Sequence, residues 1–380
     1  MDTLAFKRTH LAQAYCDSLE GSGIANARSG LFLTGPRRVG KSTFLIEDLI
    51  PEAESRGWLT VYVDLWSNKQ IDPAVLITEA IKTSIADQKG RLGKLVDQVK
   101  LQKINLLKTF EFDFSGPGLP ENITLADALA YLIKLAAKPV LLMIDEAQHA
   151  LSSQGGINAM FAIKSARDQI NSISRSPDLM LTLTGSNRDK LAQLVLKKDQ
   201  PFFGAELIAL PLLGRDYTDF FTASINQALA VTNQFSEDSV WDAFRLTGHR
   251  PEILRQLVGR VAMNHEAQSF SDLLKQDAYL WHGQVWEEFE TDFNNLSALQ
   301  KIILKNLVLK DRSMSLFSEE SISQYCQDLN QDLLTVSAVQ TAIQSLRDNG
   351  FIWQSSRGIY ALEDENFGEW LKHQVSMISQ

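Results

Sequence analysis

Through the first 213 residues, short uninterrupted apolar runs alternate with longer stretches in which apolar positions recur at helical spacing. The runs at 31–34, 58–65, 140–144 and 179–184 have strand length and end at glycine or acidic residues, and 206–213 reads as a fifth strand despite Pro211. Strands separated by helical stretches build a parallel sheet with helices on both faces, which predicts an α/β domain over 1–213. Beyond Asp216 the strand pattern stops, and 214–290 reads as a helical domain with Pro251 at a helix start. From 291 onward three helical segments, 298–309, 318–329 and 336–348, precede Asn349-Gly350 and two short alternating runs. Three helices followed by a hairpin outline a winged helix over 291–380.

Composition changes this picture little. A chain of 380 residues with 44% hydrophobic and 22% charged positions is globular, and it is long enough to bury its cores without disulfides or metal staples. Cys16 and Cys326 are far apart and lack companions at metal-ligand spacing, so neither a disulfide framework nor a zinc site is expected. The amino end lacks the basic-then-apolar pattern of an export signal, and the most apolar stretch is interrupted by Lys134, Lys138 and Pro139. A cytoplasmic protein without a membrane span is expected.

Charge matters more. The net charge of −9 opposes strong attraction to nucleic-acid phosphates by the chain as a whole. One local exception is 82–108, where Lys82, Lys89, Arg91, Lys94, Lys100, Lys103 and Lys108 face only Asp87 and Asp97. That run is either a solvated helix face or a nucleic-acid patch. From 291 to 380 acidic residues outnumber basic ones, and the segment expected to act as the recognition helix carries Arg347 as its one cation. Protein docking suits this module at least as well as DNA reading, for which Arg357 at the hairpin tip is the remaining candidate.

The chemistry concentrates in two segments. Gly35-Pro36-Arg37-Arg38-Val39-Gly40-Lys41-Ser42 satisfies G-x-x-x-x-G-K-[ST] between an apolar strand and a helix start. Such a loop turns its backbone N–H groups toward phosphates at the positive end of a helix, Lys41 reaches the β- and γ-phosphates, Ser42 is a Mg²⁺ ligand and Thr43 reaches the α-phosphate. The second segment, Val140 through Glu146, ends an apolar strand in Asp145, a holder of the metal through water, and Glu146, a base for the water attacking the γ-phosphate. Farther on, Thr184, Ser186 and Asn187 each suit a γ-phosphate sensor, with Asn187 favoured on reach and a helix-capping role the alternative. Arg250 or Arg255, near Pro251, would touch phosphate if the helical domain closes.

GPRRVGKST, LLMIDEAQH, LTGSN, PFFGAELIALPLL, GHRPEIL and the terminal winged helix occur in an order that resembles prokaryotic AAA+/STAND ATPases of the archaeal-ATPase type, distant relatives of origin-recognition proteins. The resemblance spans nearly the whole chain. It implies an ASCE-type P-loop sheet with the strand of Asp145 next to the P-loop strand, a helical lid and a winged helix, with ATP and Mg²⁺ as cofactors and ATP hydrolysis driving a molecular switch. The expected switch works by closure or nucleotide-dependent self-association that changes what the carboxyl-terminal module touches, with a protein partner expected from the module's charge; the alternative is an ATP-dependent DNA-binding accessory that uses the 82–108 run. Where the family carries an arginine finger after glycine, this chain has Ala205, leaving Arg188 and Arg215 as substitutes.

Overall fold

Five parallel strands make the central sheet, in the order β2-β3-β4-β1-β5. They are β1 (Leu31–Thr34), β2 (Leu59–Asp64), β3 (Val140–Asp145), β4 (Leu179–Gly185) and β5 (Leu207–Ala209). β4 pairs with both β3 and β1, so the strand ending in Asp145 is one strand removed from the strand before the Gly35–Ser42 loop and not next to it as expected. The computed structural model describes residues 6–22, 26–99, 118–119, 123–172, 176–264, 269–309, 315–356 and 358–378, with side chains of 92–99 excepted. β3 and β4 are buried along their whole length, so their sequences run apolar without alternation. Successive residues then divide between two cores. Leu142, Ile144, Leu181 and Leu183 face one side, and Leu141, Met143 and Met180 the other.

The first face is covered by α4 (Pro73–Val99), α5 (Leu125–Ala136) and α6 (Gln154–Asn171). The second is covered by α1 (Thr9–Glu20) and by a continuous helical stretch formed from α2 (Lys41–Phe44), a π-turn (Leu45–Leu49) and α3 (Ile50–Ser55). α5 starts at a capping box, in which Thr124 Oγ1 accepts from Asp127 N and the Asp127 carboxylate accepts from Thr124 N. After β4 comes α7 (Arg188–Leu196).

The fifth strand is shorter than the expected 206–213. Leu210 N still donates to Thr34 O at 2.8 Å, but Pro211 has no N–H with which to continue the ladder. The chain leaves the sheet there and enters the helical lid of α8 (Arg215–Asn226), α9 (Glu237–Leu246) and α10 (Pro251–Ala262). Phe221, Phe244, Leu254 and Leu257 fill its core.

α11 (Phe270–Asn294) carries the expected boundary at 290 inside one unbroken helix. Its first half gives Phe270, Leu274 and Ala278 to the lid core, and its second half packs Trp286, Phe289 and Phe293 on the last core. That last unit contains α12 (Ala298–Leu309), α13 (Glu319–Leu329), α14 (Val336–Asp348), the antiparallel pair β6 (Ile352–Ser356) and β7 (Ile359–Leu362), and α15 (Glu365–Ile378). Among the described residues, no helix is long and apolar enough to cross a membrane.

Candidate nucleotide site

A cleft of about 770 Å³ opens where the carboxyl edge of the sheet, the amino-terminal segment and the lid meet. One end is the loop between β1 and α2. Gly40 closes that loop with φ 92°, a left-handed value that glycine adopts without steric cost, and Arg38 is also left-handed with φ 67°. Ser42 and Thr43 are exposed to the cleft at the first turn of the helix, whose unpaired N–H groups carry its positive end.

Lys41 is only 5% exposed, and its Nζ donates to Gly35 O at 2.9 Å and Pro36 O at 2.7 Å. Burial pulls its ammonium below the ordinary lysine range, while Glu146 and Asp145 pull it back up. The loop carbonyls thus hold a charged group in a place where isolated charge is costly.

Asp145, 1% exposed at the end of β3, is saturated with donors. Tyr62 Oη donates to Oδ2 at 2.9 Å, Thr184 Oγ1 donates to Oδ1, and Glu146 N donates to Oδ1 at 3.0 Å. Burial and the Asp145 charge together push the Tyr62 phenol well up, which keeps it a donor. The Ser42 hydroxyl and Asp145 carboxylate are hard oxygen donors of the kind Mg²⁺ prefers, and Asp145 behind its hydroxyl shell suits contact through water.

Glu146 has φ 53°, a value uncommon for a residue with a side chain and concentrated at functional sites. Its Oε2 accepts from Ser186 Oγ at 2.6 Å, from Ser186 N at 3.3 Å and from Gln148 Nε2. Among the described residues nothing donates to Oε1, and the residue lines the cleft. Gln148 reaches this position because Gly185 has no side chain; a Cβ there would stand 2.7 Å from Gln148 Oε1. Gln148 was not singled out by sequence reasoning, although its place two residues after Glu146 and opposite a glycine is a readable signal.

Three other candidates sit apart from the loop between β1 and α2. Asn187 caps α7 by accepting from Lys190 N at 2.8 Å, while its neighbour Ser186 takes the contact with Glu146. Arg250 is turned away from the cleft toward Asp364 of the winged helix, at 3.4 Å, and Arg255 lines the cleft instead. Arg215 pairs with Asp219 and Asp238 on the lid. Of the basic run, Lys82 is buried against Glu79 at 2.8 Å and Lys89 lies over the Tyr131 ring. Lys94, Lys100, Lys103, Lys108 and Arg357 lie outside the residues whose side chains are described.

Trp66 is 38% exposed at the cleft mouth, with Lys69 Nζ 3.6 Å from its ring centre, Arg37 above it and His149 packed alongside. Burial lowers the His149 imidazole, and Lys190, Lys69 and Arg37 add to that effect.

The winged helix docks on the helix that follows Ser186. Asp189, buried at the start of α7, accepts from Arg347 Nε at 2.9 Å, from Arg347 Nη2 at 3.2 Å and from Gln354 N at 3.1 Å. Arg188 N donates to Glu363 Oε1 at 2.6 Å, and burial pushes that carboxyl up to about 7. Gly248 comes so close to the same module that a Cβ would stand 2.6 Å from Asn366 Nδ2.

Solved structures with this architecture exist. A Walker-type ATPase of Pyrococcus abyssi superposes over 97% of this chain and 96% of its own, with a TM-score of 0.55 and 19% identity. The ADP form of the Aeropyrum pernix ORC2 protein matches over 96% of this chain and 93% of its own, with a TM-score of 0.57 and 15% identity. The chain shares its fold with these two proteins. Residues 287–373 match the family model described as "Probable winged helix domain". No curated protein matches the sequence. The expected α/β sheet, helical region and carboxyl-terminal winged helix are therefore present.

Proposed function

We propose that the chain is a Mg²⁺-dependent ATP-binding and hydrolysing switch. The observation carrying this reading is the arrangement of the Gly40–Thr43 turn, buried Lys41 and the half-anchored Glu146 carboxylate around one cleft. The loop N–H groups and Lys41 bind the phosphates, and Lys41 leaves the Gly35 and Pro36 carbonyls to do so. Ser42 and Asp145 would hold Mg²⁺, which when bound neutralises phosphate charge. Glu146, anchored through Oε2, presents Oε1 to accept a proton from the attacking water. Ser186 fixes that carboxylate, and Gln148 donates to the same oxygen.

The switch follows from connectivity. Ser186 touches the proposed base, and three residues later Asp189 holds the winged helix through Arg347. A nucleotide that shifts Glu146 pulls on the segment to which the winged helix is fastened, so the nucleotide state sets whether that module is docked or free for a protein partner or a second copy. DNA reading by α14 is disfavoured in the docked form, because its one cation, Arg347, is paired with Asp189.

The test is phosphate release and nucleotide affinity for wild type, Lys41→Ala and Glu146→Gln, each with and without duplex DNA at two salt concentrations. Turnover that needs Glu146 and ignores DNA is the expected result. Turnover by Glu146→Gln at the wild-type rate removes Glu146 as the base, and salt-sensitive stimulation by DNA transfers the reading to a DNA-binding accessory.

A further inference from the structure

The end of the cleft away from the phosphate loop holds an acid that the reaction does not use. Asp48 lies five residues beyond Thr43 on the continuous helical stretch. In an uninterrupted α-helix that spacing would turn it about 140° from Thr43. The π-turn at Leu45–Leu49 inserts the extra residue that brings Asp48 back toward the cleft, and single π-turns within helices concentrate at functional sites.

The acid is 7% exposed yet lines the cleft. Its Oδ1 accepts from Arg8 N at 2.7 Å, and among the described residues nothing donates to Oδ2. Burial pushes the carboxyl above the usual range, partly offset by the Arg8 N–H. The cleft lining includes the charged Arg8 and Glu47 together with aromatic and aliphatic side chains. Phe6 meets Tyr217 edge to face at 5.6 Å between centroids, and both line the cleft with Leu213. Arg8 pins the amino-terminal segment across this end by donating to Pro211 O at 2.5 Å.

Aromatic walls accommodate a planar ring, and a carboxylate at its edge can only accept. Resting on the nucleotide reading of the phosphate end, we infer that Asp48 selects adenine by accepting a hydrogen bond from its exocyclic amine at Oδ2. A 6-keto purine presents a carbonyl oxygen at that position, so two acceptors would face each other with neither satisfied. The aromatic flanks favour the base over the ribose hydroxyls as the group that Asp48 reads.

The experiment measures affinities of the full chain for ATP, purine riboside triphosphate (which lacks the amine), inosine triphosphate (6-keto) and 2′-deoxyATP, by competition against one fluorescent ATP analogue. Loss of one hydrogen bond to a charged acceptor corresponds to about tenfold to a hundredfold, so purine riboside triphosphate binds weaker than ATP by that factor and inosine triphosphate weaker still. 2′-DeoxyATP stays close to ATP. In Asp48→Asn the amide donates to a 6-keto oxygen, and the preference moves toward inosine triphosphate. Asp48→Ser, whose hydroxyl can still accept from Arg8 N, loses the preference for ATP without gaining one for inosine triphosphate, and so serves if Asp48→Asn does not fold. Equal binding of ATP and purine riboside triphosphate by wild type overturns the inference, as does an ATP preference surviving in both variants. Discrimination against 2′-deoxyATP alone assigns Asp48 to the sugar and also overturns it. Wild type that binds none of the four removes the nucleotide reading itself.

Discussion

The end of the cleft at the Gly35–Ser42 loop, read above as the phosphate end, and the seam between α7 and the winged helix are both polar and both hold buried groups, but their bonding differs. At the phosphate end the partners are close in sequence or face each other across one strand pair, and both oxygens of Asp145 are matched by hydroxyl donors. The seam joins residues 158 positions apart, and within it, among the described residues, Arg188 Nε, Trp353 Nε1 and Glu363 Oε2 are buried without a hydrogen-bond partner, as is Gln148 Oε1 beside Glu146 at the other region. Buried polar atoms are seldom left unmatched in a surface that never opens. Under the proposed switch, the first region holds a single geometry and the second is the one exchanged for a different set of contacts.

Breaking the fixed region carries the largest effects. Lys41→Ala, which removes the one buried cation at the loop, lowers ATP affinity by at least about a hundredfold in titration calorimetry. An unchanged affinity would detach the loop from nucleotide binding. Glu146→Gln lowers the rate of phosphate release by about a hundredfold or more while ATP affinity stays within about twofold.

At the seam, Arg347→Ala leaves the Asp189 carboxylate buried without its charge partner, a change that costs about 3–5 kcal/mol for a pair of this kind. Amide hydrogen exchange in β6 and β7 should accelerate strongly, while exchange in β3 and β4 does not. The double variant with Asp189→Ala should recover part of the loss, because the unpaired charge is then gone. Equal protection of β6 and β7 in wild type and Arg347→Ala would make the seam as fixed as the phosphate end.

A subtler test uses pH. Free in solution Glu363 ionises near its ordinary 4.5, whereas burial in the seam pushes it up to about 7 against the local pull of Arg188. The docked form therefore holds the proton between these values. Docking is strongest below the lower value, weakens as pH rises through the window, and is flat above it. Arg188, Asp189, Arg347, Asp364 and Glu365 also surround the seam, so Glu363→Gln is the comparison that isolates this carboxyl. The variant should lose the slope in β6–β7 exchange between pH 5 and 7.5, with the slope retained counting against it. The smallest effect belongs to neither region. Lys164→Ala breaks an exposed pair with Asp168 on α6 and should change stability by about 0.3 kcal/mol, with no change in turnover or exchange at the seam.

The sequence was readable where local chemistry decides the outcome. Apolar runs without alternation marked β3 and β4, because a parallel sheet buried on both faces leaves no polar positions in its strands. The loop from Gly35 to Ser42 was readable because its chemistry is contiguous. Residues whose meaning depends on distant partners were not. Nothing near Asp189 signals that it will meet Arg347, and Asn187 and Ser186 could be separated only once the cap on α7 was seen. Arg250 faces Asp364 because Gly248 lets the winged helix approach, a fact set by tertiary packing. Trp66 reads like its buried counterparts Trp58 and Trp370, and differs from them only in standing at the cleft mouth.

α11 joins the lid core to the winged-helix core as a single lever. Its 25 residues make a rod of about 37 Å, one half set in the lid core and the other in the winged-helix core. A tilt of about 10° at the lid end becomes a sweep of about 6 Å at the far end, from arc length alone. The seam needs far less than that to part, since its hydrogen bonds are lost within about 1 Å of added separation. Under the proposed switch, a small rotation of the lid would be amplified into a displacement that the fastening on α7 cannot follow.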